Sequence, residues 1–130
     1  MLDTDTSSYL IKGRAPHIEA KLSQLEPSMV CVSVITQAEL LYGLKRLPDN
    51  HVLHHAVRQF LNIILVLPWD SEAASHYAVI RHQLVSSGQP IGDMDMMIAA
   101  HSLSANAVLV TNNIRHYERI ETPLTLINWA

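Results

Sequence analysis

Short apolar runs alternate along the chain with longer stretches in which apolar residues return every three or four positions. The runs Met29–Val34, Ile64–Leu67 and Val108–Val110 are rich in β-branched residues and hardly alternate. That is the pattern of strands covered on both faces. Met1–Leu2 reads as the stub of a strand, and Leu124–Ile127 as a last strand. Between them the spacing predicts helices. A short one runs from Ser7 to Lys12 and closes at Gly13, since glycine readily adopts the left-handed turn that ends a helix. The next runs from Pro16 to Leu25, with proline where its missing N–H costs nothing. Thr36-Gln37-Ala38-Glu39 opens a third, which ends near Leu47-Pro48-Asp49. His51–Ile63 is a fourth, with Val52, Ala56, Phe60 and Ile63 on one face. Asp70 or Ser71 caps a long helix to Ser87, stopped by Gly88 and Pro90. Gly92-Asp93 starts another through about Ser104.

Strands alternating with helices predict an α/β fold of three layers, a central mainly parallel sheet flanked by helices. The length, 130 residues, suits one domain spanning 1–130. In such sheets functional groups gather beyond the carboxyl ends of the strands, and oxygen-bearing side chains recur there. Asp3 follows the first strand. Glu39 lies in the first turn of the helix after the second, and Asp95 in the first turn of the helix before the Val108 strand. Asn113 comes just past that strand.

Several carboxylates in one pocket repel one another, and one keeps its proton unless a cation is present. Mg²⁺ suits such a pocket, because it takes oxygen ligands, keeps several waters and binds through one or two carboxylates plus phosphates. The chemistry implied is phosphodiester hydrolysis. Each residue also has a structural reading. Thr36-x-x-Glu39 matches a capping box. Asp93 and Asp95 suit the positive end of a helix. Asp3 and Asn113 suit turns. The case for a site rests on the combination.

Charge changes this picture a little. The net charge is −3, whereas nucleic-acid binders are often basic. Local basic patches still count, because charge acts where the ligand sits. Lys45-Arg46 after the Glu39 helix, and Arg115 and Arg119 after Asn113, flank the expected pocket and are candidates for phosphate contacts. The single cysteine, Cys31, reads as a buried thiol suited to a reducing cytoplasm. The N-terminus lacks a basic region and a long apolar stretch, and no window approaches the roughly 20 apolar residues of a membrane span. A soluble cytoplasmic protein is expected.

Four segments resemble the motifs of PIN-domain VapC toxins, in order, along essentially the whole chain. They are Leu2-Asp3-Thr4-Asp5; Val34-Ile-Thr-Gln-Ala-Glu39-Leu40-x-x-Gly43; Pro90-Ile-Gly-Asp-Met-Asp95-x-x-Ile98-Ala-Ala100-His101; and Val110-Thr-Asn-Asn113. The resemblance implies the toxin of a type II toxin–antitoxin pair, a Mg²⁺-dependent endoribonuclease in which Mn²⁺ substitutes. The substrate it implies is structured RNA, such as rRNA or the anticodon stem-loop of initiator tRNA. It also implies a homodimer and a cognate VapB-type antitoxin. Carried over, Asp3, Glu39 and Asp95 are the metal-ligand positions. Asn113 falls where many PIN nucleases have a fourth acid, a departure that removes one charge. Asp93 is favoured as a helix cap over a ligand. Asp5 stands where the family more often has Asn, and supports the loop presenting Asp3. Thr4, Thr6 and Thr111 are expected to hydrogen-bond the carboxylates or a metal water.

Other residues carry less. His51, His54 and His55 share a helix face without an acid cluster to complete a metal site. His101 is too far along its helix from Asp95 to serve as a base, whereas His116 is near enough to Asn113 to meet RNA. Of Met94, Met96 and Met97, the helix is expected to bury Met97 beside Ile98. Two rival functions stay open. One is a PIN-like module that grips RNA or a protein without cutting, favoured by Asn113. The other is a metal-dependent small-molecule phosphatase. The chain shows no glycine-rich phosphate loop and no serine or cysteine nucleophile motif.

Overall fold

The computed structural model describes residues 1–129. Its sheet is built around the first residues of the chain. β1 (Cys31–Ser33) pairs in parallel with β2 (Leu65–Leu67), and β3 (Leu109–Val110) in parallel with β4 (Leu126–Ile127). Leu2 joins the two pairs, bridging Val32 on one side and Val110 on the other. Its N–H donates to Cys31 O at 2.9 Å, and Asp3 N–H donates to Val110 O at 3.1 Å. The spatial order is therefore β2, β1, the Leu2 stretch, β3, β4. Chain connectivity changes direction at that central stretch, and a crevice opens there beyond the carboxyl ends.

The helices are α1 (Thr4–Ile11), α2 (Pro16–Leu22), α3 (Val34–Lys45), α4 (Leu53–Ile63), α5 (Ser71–Ser86), α6 (Asp93–Ser104) and the short α7 (Ile114–Tyr117). Successive strand residues point to opposite faces, and the core divides accordingly. Met1, Cys31 and Leu109 pack with Ile80 and Leu84 of α5, Met96 and Ile98 of α6, and Tyr117 of α7. Leu2, Val32 and Val110 pack with Leu10 of α1, Leu22 of α2 and Phe60 of α4. Leu2 is fully buried in the middle layer, and such burial stabilises by about 2–3 kcal/mol. The three layers and the parallel sheet match the sequence expectation.

Several boundaries differ, each for a local reason. The first helix starts at Thr4 instead of Ser7, because Asp3 itself caps it. The second ends at Leu22, and Leu25 lies in a turn. Pro27–Met29 is a 3₁₀ turn, which shortens the expected Met29–Val34 strand. The third helix begins at Val34, with Ser33 as its cap. The strands at 64–67, 108–110 and 124–127 are each one or two residues shorter than read.

The helix at 53–63 is rotated from the expected face. Leu53, Val57, Phe60 and Leu61 pack with Leu40 and Leu44 of α3, while Val52 and Ile63 are exposed. Two stripes on this helix satisfy a 3.6-residue period, and the apolar face of α3 selects between them. On α6 the buried methionine is Met96, not Met97. Cys31 is buried as expected. Among the described residues no helix is long and apolar enough to cross a membrane.

Candidate active site

Asp3 stands at the carboxyl end of the central stretch and is 4% exposed. Its Oδ1 accepts the Thr6 N–H at 2.8 Å, the capping bond of α1. The Thr111 hydroxyl, just past β3, also donates to this carboxylate. Thr111 Oγ1 in turn accepts the Asn113 N–H at 2.9 Å. The turn after β3 is thus tied to Asp3 through one hydroxyl. The Thr6 hydroxyl turns to Val110 O at 3.4 Å.

Glu39 lies on α3, and the expected capping box is not formed. Ser33 Oγ caps the helix by accepting from Ile35 N–H at 3.0 Å, so Thr36 and Glu39 lie inside it. Thr36 is fully buried, and its Oγ1 is 3.1 Å from Thr4 Oγ1. Thr4 donates its one hydroxyl proton to Glu39 Oε1 at 2.6 Å. Thr36 must therefore be the donor to Thr4. This chain of two hydroxyls, from α3 to α1 and back, aims Glu39 at the end of the sheet.

Asp95 sits in the first turn of α6. Its Oδ1 accepts the Tyr117 hydroxyl at 3.3 Å, and its Oδ2 lies over Gly92, 3.5 Å from where a Cβ would stand. Gly92, not Asp93, is the N-cap, and it makes no side-chain capping bond. Asp93 is exposed, and its charge acts on Arg81 of α5. His101 is buried and braces the site from below. Its Nδ1 is 2.7 Å from Ser33 Oγ, and its ring also hydrogen-bonds the Pro68 backbone. Burial lowers its pKa. A neutral ring accepting from Ser33 and donating to Pro68 links α6, the start of α3 and the end of β2.

All three core acids have raised pKa values, and burial is the largest cause in each. Charge repulsion adds to it. Asp95, Asp5 and Asp3 raise Glu39; Asp3 and Asp5 raise Asp95, against an opposing effect of His116; Asp5 raises Asp3. The fold has therefore brought Asp3, Glu39 and Asp95 into one electrostatic neighbourhood, from positions 36 and 56 residues apart. Asp5 belongs to it as well. It was expected only to support the Asp3 loop, yet it is exposed and lines a groove of about 760 Å³ with Thr4 and Glu39.

Among the described residues no three His, Cys, Asp or Glu side chains stand together in coordinating geometry. A hard divalent cation still fits the donor set. The donors are carboxylate oxygens with uncompensated charge, and Mg²⁺ needs only one or two of them directly, its other positions being filled by water and phosphate. Asn113 is not placed against the acids. Its Nδ2 is 2.7 Å from His116 Nδ1. Of the expected basic residues, Arg46 lines the groove and Lys45 does not. Arg115 is exposed, and Arg119 donates to Pro90 O at 3.2 Å. Lys12, which the sequence reading passed over, is in the groove wall.

The sequence profile of the PIN domain matches residues 1–121. The chain belongs to the PIN-domain family. Within it the chain falls among the VapC ribonuclease toxins. It is 40% identical to the tRNA(fMet)-specific endonuclease VapC of Salmonella typhimurium, over 92% of this chain and 90% of that one. It is 37% identical to the ribonuclease VapC2 of Haemophilus influenzae, over 100% of this chain and 97% of that one. The crystal structure of DNA-bound VapBC from Salmonella typhimurium superposes with a TM-score of 0.92 at 37% identity, covering 100% of this chain and 97% of that one.

Against this PIN frame, Tyr117 is the residue that sequence reasoning missed. It is 1% exposed, and that burial, reinforced by the charges of Asp95, Asp3 and Asp5, holds its hydroxyl protonated. Nothing in the sequence separates it from an ordinary core aromatic. Tyr117→Phe keeps the ring in the core and removes only the donor. The expected result is a loss of about 1 kcal/mol of stability in EDTA. A several-fold higher Mg²⁺ concentration should be needed for half-maximal RNA cleavage, because Asp95 is no longer held. Thermal unfolding and a Mg²⁺ titration measure both, and unchanged values in the two would show that the 3.3 Å contact contributes nothing.

Proposed function

We propose that this VapC-family chain is a Mg²⁺-dependent endoribonuclease, with Mn²⁺ able to substitute, that hydrolyses a phosphodiester bond in structured RNA. The leading substrate is the anticodon stem-loop of initiator tRNA. The observation that carries the reading is the set of carboxylates at the sheet's carboxyl edge, Asp3 buried and Glu39 and Asp95 half-buried, with pKa values raised by burial and by one another. The tRNA is suggested by the relative from Salmonella typhimurium, whose name specifies tRNA(fMet).

Asp3, Glu39 and Asp95 would hold the ion. When bound, it supplies positive charge to the phosphate and lowers the pKa of water. Thr4 and Thr36 orient Glu39, Thr6 and Thr111 orient Asp3, and Tyr117 orients Asp95. Asp5 adds the charge that Asn113 does not supply. Asn113 holds His116 beside Asp95. Arg46 and Lys12 meet phosphates along the groove, with Lys45, Arg115 and Arg119 outside its walls. In-line attack by water leaves a 5′-phosphate and a 3′-hydroxyl.

Similarity to the VapBC complexes supports a VapB-type antitoxin as partner. Its Arg or Lys would stand among the carboxylates in place of the cation. A homodimer is proposed on the same family grounds.

The test is cleavage of total tRNA and rRNA by the pure protein with Mg²⁺, Mn²⁺ or EDTA, with end-group analysis of the products. Discrete metal-dependent cuts with 5′-phosphate ends are expected. A 2′,3′-cyclic phosphate would overturn the water attack. RNA binding without cleavage would favour the non-cutting module.

A further inference from the structure

Tyr42 is one of four tyrosines and is 66% exposed. The others are differently placed. Tyr117 is in the core; Tyr77 is half-buried, edge-on to Trp69 and bonded to Arg81; Tyr9 borders a separate pocket with Arg14 and Asn112. Tyr42 instead lines the groove that holds Glu39, Asp5 and Thr4.

One face of its ring is partnered within the chain. The Arg46 guanidinium lies over it, 5.4 Å from the centroid. Tyr42 and Gly43 lie three and four residues after Glu39, and Arg46 lies four and three residues after them, so all four border one face of α3. Gly43 leaves open space between them, with no atom within 4 Å of where a Cβ would stand. Along the helix axis Tyr42 is only about 4.5 Å from Glu39. The groove thus offers an aromatic face, held from behind by a cation, immediately beside a carboxylate proposed to hold the ion. Lys12 and the exposed Met94 complete the wall.

We propose that the free face of Tyr42, backed by Arg46, stacks an unpaired base of the RNA substrate next to the phosphate that is cut. This rests on the ribonuclease reading and extends it to a requirement for single-stranded nucleotides. A base in a duplex has both faces covered, whereas a base splayed from a loop stacks on aromatic rings and guanidinium planes. Phosphates of the same strand meet Lys12 and the edge of Arg46.

The test measures binding separately from cutting. Anticodon stem-loop RNA carries 2-aminopurine at each loop position in turn, and is titrated with the wild-type protein in EDTA. One loop position is expected to be quenched on binding, and a fully paired RNA of the same length to bind more weakly. Tyr42→Leu should abolish that quench and weaken binding about tenfold or more, and Tyr42→Phe should restore both. An abasic nucleotide at the quenched position should weaken wild-type binding to the same degree while leaving Tyr42→Leu no worse. Quenching without cleavage in Mg²⁺ would leave the platform standing and overturn the nuclease reading alone. The platform is overturned by absent RNA binding, by equal binding of wild type and Tyr42→Leu, or by additive losses from the variant and the abasic site. Weaker antitoxin binding by Tyr42→Leu with unaltered RNA binding would assign the ring to a protein contact and overturn it too.

Discussion

An Asp95→Asn protein is expected to lose RNA cleavage by on the order of 10³-fold while unfolding at a higher temperature than the wild type in EDTA. The two effects have one origin. In the folded chain Asp95 is half-buried, and Asp3 and Asp5 repel its charge. That arrangement opposes folding and favours a divalent cation. Asparagine removes the charge but keeps an oxygen that can accept the Tyr117 hydroxyl, so the packing of α6 against α7 survives. An anionic ligand supplies several kcal/mol of the charge stabilisation in a metal-assisted displacement, and about 4 kcal/mol corresponds to the thousandfold loss. A gain of about 1 kcal/mol in stability would shift the unfolding midpoint by roughly 3–5 °C in a chain of this size. Cleavage rates and a thermal melt decide it. Full activity would remove Asp95 from the site, and a lowered midpoint would mean its charge is compensated in the fold.

Rising pH should destabilise the metal-free wild type relative to Asp95→Asn. Asp3, Glu39 and Asp95 have folded pKa values raised above their ordinary 3.8, 4.5 and 3.8. For a group so raised, the stabilising contribution is full below the unfolded pKa and is lost as pH climbs through the folded one. The gap between the two proteins should therefore be small near pH 4 and widen toward pH 7. His101 acts the other way. Burial lowers its pKa, so its contribution is present above its ordinary value and is lost as pH falls. It is common to both proteins and cancels in the difference.

Mg²⁺ should return the lost stability, by about 1.4 kcal/mol at ten times its Kd. The effect should be larger at pH 7.5 than at pH 5 and small in Asp95→Asn. Melts across pH with EDTA or Mg²⁺ test this. A gap that stays constant with pH, together with an equal Mg²⁺ shift in both proteins, would separate the acids from cation binding.

Much of the fold was legible because its signals are local. A parallel strand buried on both faces is apolar nearly throughout, and the runs that contain β1 and β3 show it, while the equally apolar β2 lies at the sheet edge with Leu65 exposed. Asp70 caps α5 through a bond to Ala73 N–H at 3.0 Å, an interaction closed within four residues. The motif spacing likewise placed Asp3 after the first strand stretch and Asp95 in the first turn of its helix, whereas Glu39, expected in a first turn, lies in the second turn of α3 because that helix begins at Val34. Where local rules offered two answers, the reading erred. Thr36 and Glu39 fit a capping box on paper, but Ser33 took the cap and released both side chains toward α1. Asp93 fits a cap, but the backbone turn falls at Gly92.

What the sequence determined by itself is the layered architecture, its parallel strands and most of its helices, because periodicity and capping act between near neighbours; it also singled out Asp3, Glu39 and Asp95 as candidates. What only the tertiary structure decided is how those acids are held and charged. Thr36 reaches Glu39 through Thr4, thirty-two residues away. Tyr117 reaches Asp95 across twenty-two. Asp5 turns into the groove instead of propping a loop, and the face of α4 is chosen by α3. Each depends on which surfaces the sheet brings within a few ångströms, and hydrogen bonds and charge repulsion act over that range, whatever the separation along the chain.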